Sequence, residues 1–212
     1  DPLLRRGQGE RHNLKRVRIP FAAETLELEL PDSAEILSMG EVRPLADPAG
    51  EVERALARPL GSPPLAAVVR ERLRADPGAK AVVVISDNTR PVPYRGEQGI
   101  LWPVLRLLLA AGLPPARILV LVATGTHGPL SERELGCLLD PRVAESGIPV
   151  LNHDSRDPGQ LSHLGRTSRG EEVFVNRAYL EAGIRVLTGL VESHFVAGVS
   201  GGRKSICPGL IG

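Results

Sequence analysis

The stretch AVVVI at residues 81–85 decides the fold class of this chain. It is a continuous apolar run, mostly β-branched, which is typical of a strand that is covered on both faces. Comparable runs follow it, and stretches with helical spacing separate them. Strands that alternate with helices predict βαβ units, and hence an α/β fold with a mostly parallel sheet and helices on both faces. The further strands are predicted at 118–122, 148–151 and 184–191, and the intervening helices at 99–111, 131–139 and 178–182.

The segment that precedes this region has a different pattern. Leucines alternate with glutamates over residues 26–30, which predicts a half-buried strand. Apolar residues at helical spacing predict helices over 51–58 and 65–74. No internal repeat or low-complexity linker is visible, so we interpret residues 1–212 as one α/β domain.

Composition excludes several classes of protein. The chain has 212 residues, of which 42% are hydrophobic and 24% charged, so it can bury a core without disulfides. Its net charge of +1 gives no field that attracts nucleic acid or an anionic membrane, and no apolar run is long enough to span a bilayer. The chain is therefore expected to be cytoplasmic and soluble, without a nucleic-acid or membrane partner. Cys207 is interpreted as a small core residue.

Polar residues cluster directly after the predicted strands. The first strand is followed by SDNTRP, the second by ATGTH, the third by NHD and the fourth by ESH and then GVSGGRKS. In open parallel sheets, ligands bind in the crevice outside the carboxyl ends of the strands. The sequence therefore predicts a functional site at this edge of the sheet.

Arg90 and Asp87 lie three residues apart on the first of these loops. The Arg90 guanidinium is a planar fork that matches a carboxylate, and Asp87 accepts from a hydroxyl group, so the pair suits a charge clamp on a ligand. The alternative is a helix-capping aspartate beside an arginine in a surface ion pair. The loop alone does not decide between them.

Histidines follow three of the predicted strands, and two of them, His127 and His194, are the catalytic candidates. Histidine is the most frequent general acid or base, and a pair on separate loops favours catalysis over two unrelated hydrogen-bonded rings. His153 is interpreted as a residue that orients its loop, and His12 and His163 as surface residues.

The loop 198–205 resembles a phosphate-binding P-loop, in which glycine-rich backbone precedes a lysine and a serine. A P-loop requires glycine directly before the lysine, and here Arg203 occupies that position. What is left is a glycine-rich turn before a predicted helix, with Lys204 as a nucleophile or covalent anchor. A P-loop-like nucleotide- or phosphate-binding protein is the main alternative function, and a non-catalytic carboxylate-binding domain is a third.

Four segments, in this order, resemble the nickel-pincer nucleotide-dependent lactate racemase family. They are SDNTRPVP at 86–93, ATGTH at 123–127, NHD at 152–154 and ESHFVAGVSGGRKSICPG at 192–209. The resemblance covers the N-terminal domain of that family. Val199 and Gly128 depart from its usual residues, which bears on the identity of the substrate.

The resemblance implies an isomerase that racemises or epimerises 2-hydroxy acids by hydride transfer. It implies a nickel pyridinium-3,5-bisthiocarboxylic acid mononucleotide attached to Lys204, with His127 and His194 as the acid–base pair. The loop of Asp87, Asn88, Thr89 and Arg90 is implied to contact the cofactor, and Arg90 and Asp87 to contact the substrate. Cofactor-synthesis enzymes are the implied partners.

The resemblance also implies parts that these residues do not include. No metal ligand is expected within this chain. The family's nickel-ligating histidine is expected beyond Gly212, followed by a C-terminal domain that closes the cleft. The chain by itself is therefore expected to be inactive.

Overall fold

The computed structural model describes residues 14–21, 24–38, 40 and 42–212, and the chain divides into one compact unit that ends at Pro44 and a second, Leu45–Gly212. In the first unit, β1 (Leu14–Phe21) and β2 (Glu24–Pro31) form an antiparallel pair. The leucine–glutamate alternation thus forms a strand as predicted. Its partner β1 was not predicted.

The second unit alternates strands and helices. A four-residue 3₁₀ turn, Gly202–Ser205, lies near its end, and none of its helices, nor any in the other described residues, is long and apolar enough to cross a bilayer. Its elements are α1 (Pro48–Ala57), α2 (Leu65–Ala75), β3 (Ala81–Ser86), α3 (Leu101–Ala110), β4 (Ile118–Ala123), α4 (Glu132–Leu138), α5 (Pro141–Glu145), β5 (Val150–Asn152), β6 (Leu161–Arg166), β7 (Glu172–Asn176), α6 (Arg177–Glu181), β8 (Ile184–Leu187), β9 (Ser193–His194) and β10 (Gly198–Val199).

The central sheet has the order β5-β4-β3-β8, and every neighbouring pair is parallel. The predicted α/β class with a parallel sheet is therefore confirmed. Successive strands β3, β4 and β5 extend the sheet in one direction, whereas β8 is added on the other side of β3. The order thus reverses between β3 and β8, which is where open parallel sheets form their ligand crevice.

Both faces of the sheet are covered, as predicted. On one face, Val83 and Ile85 pack in a large core with apolar side chains of α2, α3 and α5. On the other face, Val82 and Val84 pack in a smaller core with Ala182, next to α6, and with Leu210. Complete burial of alternate residues on opposite faces explains why β3 is an unbroken apolar run.

Some predicted boundaries were wrong. β5 begins at Val150 rather than at residue 148, because Pro149 has no amide hydrogen to donate to the sheet. β8 ends at Leu187 rather than at residue 191: the Thr188 amide and hydroxyl both donate to the Val84 carbonyl, which is the last contact of this segment with β3. The antiparallel hairpin of β6 and β7 was not predicted.

Candidate active site

A cavity of about 120 Å³ opens at the carboxyl ends of β3 and β4, beside the turn that carries Lys204. Four segments that are distant in the sequence build its wall: the loop after β3, the loop after β4, the chain after β8 and the turn 200–209. The structure therefore has a crevice at the carboxyl-end edge of the sheet, where the sequence predicts a functional site. The predicted site residues on its wall are Asp87, Thr89, Arg90, His127 and Lys204.

Asp87 is the best-anchored residue of this wall. Its side chain is only 7% exposed, and Oδ2 lies 2.6 Å from Nδ1 of His127. Oδ1 accepts from the backbone amide of Thr89 at 3.1 Å and also from the Thr89 hydroxyl. Burial raises the pKa of Asp87, but the hydrogen bonds from His127 and Thr89 outweigh burial, so the net pKa lies below its ordinary value.

An ionised Asp87 fixes the tautomer of its neighbour. An ionised carboxylate can only accept hydrogen bonds, so Nδ1 of His127 must carry the hydrogen and donate it. In a neutral imidazole ring, Nε2 then carries the lone pair. The His127 side chain is 60% exposed, and Nε2 makes no hydrogen bond to any residue in the described part of the chain. His127 is thus arranged as a base whose orientation a buried carboxylate controls.

Arg90 follows Asp87 on the same loop, lines the cavity and is half-buried. Its Nε lies 3.5 Å from Oε1 of Glu192, and Nη1 donates to the carbonyl of Thr89 at 3.3 Å. Nη2 makes no hydrogen bond to the residues described here. The guanidinium therefore keeps donors for an incoming anion.

The turn around Lys204 depends on glycine. Gly201 has φ +71°, and a Cβ there would lie 2.9 Å from the Leu190 carbonyl oxygen. A Cβ at Gly209 would lie 2.3 Å from the Ser205 carbonyl oxygen. The turn is a short 3₁₀ segment and not the predicted helix, which also removes the helix N-terminus that a P-loop needs.

Lys204 itself is half-buried, and its amine has no hydrogen bond or ion pair among the described residues. Cys207, three residues later, is exposed. The interpretation of Cys207 as a core residue was wrong, because the tight turn directs its side chain to the surface and buries Leu210 instead.

His194 is not on the wall of the cavity. It lies on the small hairpin of β9 and β10, where Nδ1 accepts from the amides of Val196 at 3.2 Å and Ala197 at 3.1 Å. An accepting Nδ1 places the proton of a neutral ring on Nε2, which is the opposite tautomer to that of His127. Asn88 is also off the wall and donates to Glu134 at 3.1 Å, beside a neighbouring groove.

The third strand-end histidine has a structural role, as interpreted from the sequence. His153 is fully buried, with Nε2 3.1 Å from the Ile211 carbonyl and Nδ1 3.2 Å from the Asn176 amide. Burial lowers its pKa, although the contact with the Ile211 carbonyl opposes the shift. His163 is exposed, as expected, and His12 lies outside the described residues.

The surroundings of Lys204 fit a covalently held group. The amine has no hydrogen bond or ion pair among the described residues, and the Ser86 and Ser205 side chains line the same cavity. Within residues 14–21, 24–38, 40 and 42–212, no group of three or more His, Cys, Asp or Glu side chains could hold a metal ion. The nickel ligand expected beyond Gly212 stays a prediction.

Sequence reasoning missed three polar residues of this site. Thr124 and Ser200 line the cavity and are buried, and Glu192 pairs with Arg90. All three lie within the strand-end segments, so their positions were a signal. Their partners became visible only in the folded chain.

Comparison with known proteins gives a consistent result. A family model described as "Lactate racemase N-terminal domain" matches residues 21–212. A lactate racemase of Lactiplantibacillus plantarum is 36% identical over 165 residues, which are 75% of this chain and 35% of that protein. A lactate racemase of Thermoanaerobacterium thermosaccharolyticum is 33% identical over 199 residues, 92% of this chain and 44% of that protein.

The similarity extends to a solved structure. The lactate racemase apoprotein from Thermoanaerobacterium thermosaccharolyticum has a TM-score of 0.68 and 31% identity over 93% of this chain and 44% of its own. The chain therefore spans less than half the length of the relatives it matches.

Proposed function

This chain belongs to the lactate racemase N-terminal domain family, and from that premise we propose that it supplies the carboxylate clamp, the acid–base pair and the cofactor lysine of a 2-hydroxy acid racemase or epimerase. The observation that carries the proposal is the cavity on whose wall Arg90, the Asp87-bound His127 and the unpaired Lys204 meet. The substrate class is inferred from these groups, since the Arg90 guanidinium can donate to a carboxylate and Nε2 of His127 can accept from a hydroxyl.

Arg90 binds the carboxylate of the substrate. Its unused Nη2 offers donors beside the cavity, and a guanidinium is charged at every physiological pH. A substrate held at this end keeps its 2-hydroxyl within the same small space as His127. The clamp therefore fixes which atom of the substrate the base can reach.

His127 removes the hydroxyl proton through Nε2. Asp87 keeps the proton of the neutral ring on Nδ1 and stabilises the imidazolium that forms when Nε2 accepts. His194 has its proton on Nε2 and is arranged to donate. Racemisation needs one proton acceptor and one proton donor, because the hydroxyls of the two enantiomers point in different directions.

Lys204 holds the cofactor through its amine. When bound there, the nickel-pincer nucleotide would supply a hydride acceptor for the substrate Cα hydrogen. The loop of Asp87, Asn88, Thr89 and Arg90 borders the same cavity or the adjoining groove. Its contribution to cofactor binding is part of this proposal, as is the supply of cofactor by synthesis enzymes.

The test of the cofactor role is a mass measurement on the chain produced together with cofactor-synthesis enzymes. We expect the peptide that contains Lys204 to carry a sulfur-containing adduct, and Lys204→Ala to lack it. Lys80→Ala is the matched control, since Lys80 lies at the opposite end of β3. An adduct that persists in Lys204→Ala would exclude this residue as the anchor.

The clamp is tested by titration with oxamate, an unreactive analogue of a 2-hydroxy acid. Arg90→Lys keeps the charge but loses the planar fork, so oxamate should bind about tenfold more weakly. Arg166→Lys, on the exposed β6–β7 hairpin, should bind like the unmodified chain. Equal affinity in Arg90→Lys would contradict the proposed clamp.

A further inference from the structure

We propose that Glu192 is a positioning residue that fixes the orientation of the Arg90 guanidinium and disfavours a second carboxylate on the substrate. The inference rests on the proposed role of Arg90 as carboxylate clamp. Nothing in the sequence argument assigned a role to Glu192, although it lies between β8 and His194.

The contact uses one edge of the guanidinium. Nε of Arg90 faces Oε1 of Glu192 at 3.5 Å, while Nη1 donates to the Thr89 carbonyl. Because the Glu192 carboxylate lies on the Nε side of the guanidinium, a ligand carboxylate at the fork formed by Nε and Nη2 would meet a like charge. The end fork formed by Nη1 and Nη2 is left, since each nitrogen carries two hydrogens. Glu192 therefore selects the edge with which Arg90 meets a carboxylate.

Glu192 stands on a fixed backbone. Its amide donates to the Ser200 hydroxyl at 3.1 Å, and its carbonyl accepts from the Ser200 amide at 2.9 Å. The Ser200 hydroxyl in turn donates to the Leu190 carbonyl at 2.7 Å. Ser200 is only 4% exposed and lines the cavity. These contacts distinguish Glu192 from an ordinary surface partner, whose side chain and backbone are both mobile.

The pair is worth little as a stabilising ion pair. The side chains of Arg90 and Glu192 are 33% and 46% exposed, and exposed pairs contribute almost nothing to the stability of a fold. The charge acts on the ligand instead. A carboxylate beside the clamp reduces the positive potential there, so a dianion gains less from Arg90 than it otherwise would.

Two ligands of nearly the same size separate the orientation of Arg90 from the discrimination against a second carboxylate, because oxamate has one carboxylate and oxalate has two. In Glu192→Gln, we expect the ratio of the oxalate affinity to the oxamate affinity to rise on the order of threefold. The substitution removes one solvent-screened negative charge that repels the second carboxylate of oxalate. In Glu192→Ala, oxamate itself should bind more weakly, and Glu192→Asp should restore part of the loss. Glu134→Gln is the matched control, because Glu134 is exposed and pairs with Asn88 and Ser131.

A second readout follows the Arg90 Nε–H signal by ¹⁵N NMR in the ligand-free chain. Exchange of this hydrogen with water should be slower in the unmodified chain than in Glu192→Ala, whose backbone amide signals report an intact fold. Unchanged exchange together with an unchanged oxalate-to-oxamate ratio would overturn the inference. Absence of oxamate binding to the unmodified chain would instead contradict the proposed clamp, and the NMR comparison would still decide the role of Glu192.

Discussion

The two histidines of this site are held in contrasting ways. His127 follows a central strand and is tied to a buried carboxylate that Thr89 also fixes. His194 lies on a hairpin whose strands are two residues long, and its hydrogen bonds to the described residues come from two backbone amides, with the exposed ring of Phe195 stacked on it. The contrast teaches that one of the two proposed acid–base groups is preorganised by the core of the domain, whereas the other depends on a surface element. Each prediction below tests one side of that contrast.

The largest effect is expected at Asp87. Asp87→Ala removes a buried acceptor that three donors use, which should lower the free energy of unfolding by about 1–3 kcal/mol. Denaturant unfolding measures the change. Asp76→Ala, in the exposed turn before β3, is the control for loss of an aspartate that caps a turn. A loss at Asp87 no larger than that at Asp76 would show that the His127 side is not anchored as described.

The pH dependence of stability sharpens the same point. Asp87 has a folded-state pKa below its ordinary value of 3.8, so the unfolded chain binds the proton more readily. The stabilisation is fully present above about pH 4 and disappears as the pH falls through the lowered folded-state pKa. The difference in unfolding free energy between the unmodified chain and Asp87→Asn should therefore shrink on acidification. A difference that is constant with pH would mean that ionisation of Asp87 is irrelevant.

On the hairpin side, Ser200→Ala should have an intermediate effect. The hydroxyl links Glu192 and Leu190, and its loss should cost about 1 kcal/mol. Amide hydrogen exchange in the hairpin of β9 and β10 should accelerate, while exchange near His127 should not. Ser193→Ala, at an exposed hairpin position, is the control. Equal acceleration on both sides of the cavity would show that the two histidines share one cooperative unit.

Phe195→Ala should have the smallest effect. The Phe195 side chain is 99% exposed and stacks on His194 with a centroid distance of 5.3 Å. Because the side chain is already in water, its removal loses no buried apolar surface. The free energy of unfolding should therefore change by no more than about 0.5 kcal/mol. A larger loss in thermal or denaturant unfolding would mean that the hairpin is packed more firmly than its exposure indicates.

The sequence predicts the sheet and much of the cavity, because both depend on short runs of neighbouring residues. Residues 81–85 and 118–122 are apolar throughout, and parallel strands bring their carboxyl-end loops to one edge, so Arg90, His127 and Lys204 could be expected together. The direction of individual side chains is not local. The sequence predicts Asp87 as a ligand-binding group, but that its oxygens also accept from His127 and Thr89 is visible only in the folded loop.

The hairpin was harder to foresee for a different reason. The run at 184–191 is apolar enough for a long strand, yet the Thr188 hydroxyl binds the Val84 carbonyl and Gly189 packs beside Ser86. The chain leaves the sheet after Leu187, and His194 lies off the wall of the cavity. Periodicity alone contains no signal for such a departure.

The most direct test of the central claim is the protonation of the two imidazole rings at alkaline pH, measured by long-range ¹H–¹⁵N NMR. The account predicts opposite tautomers: a proton on Nδ1 of His127, facing Asp87, and a proton on Nε2 of His194. Asp87→Asn should abolish the preference at His127 and leave His194 unchanged. The same tautomer at both rings, or a His127 tautomer that Asp87→Asn does not alter, would contradict the assignment of His127 as a base oriented by Asp87.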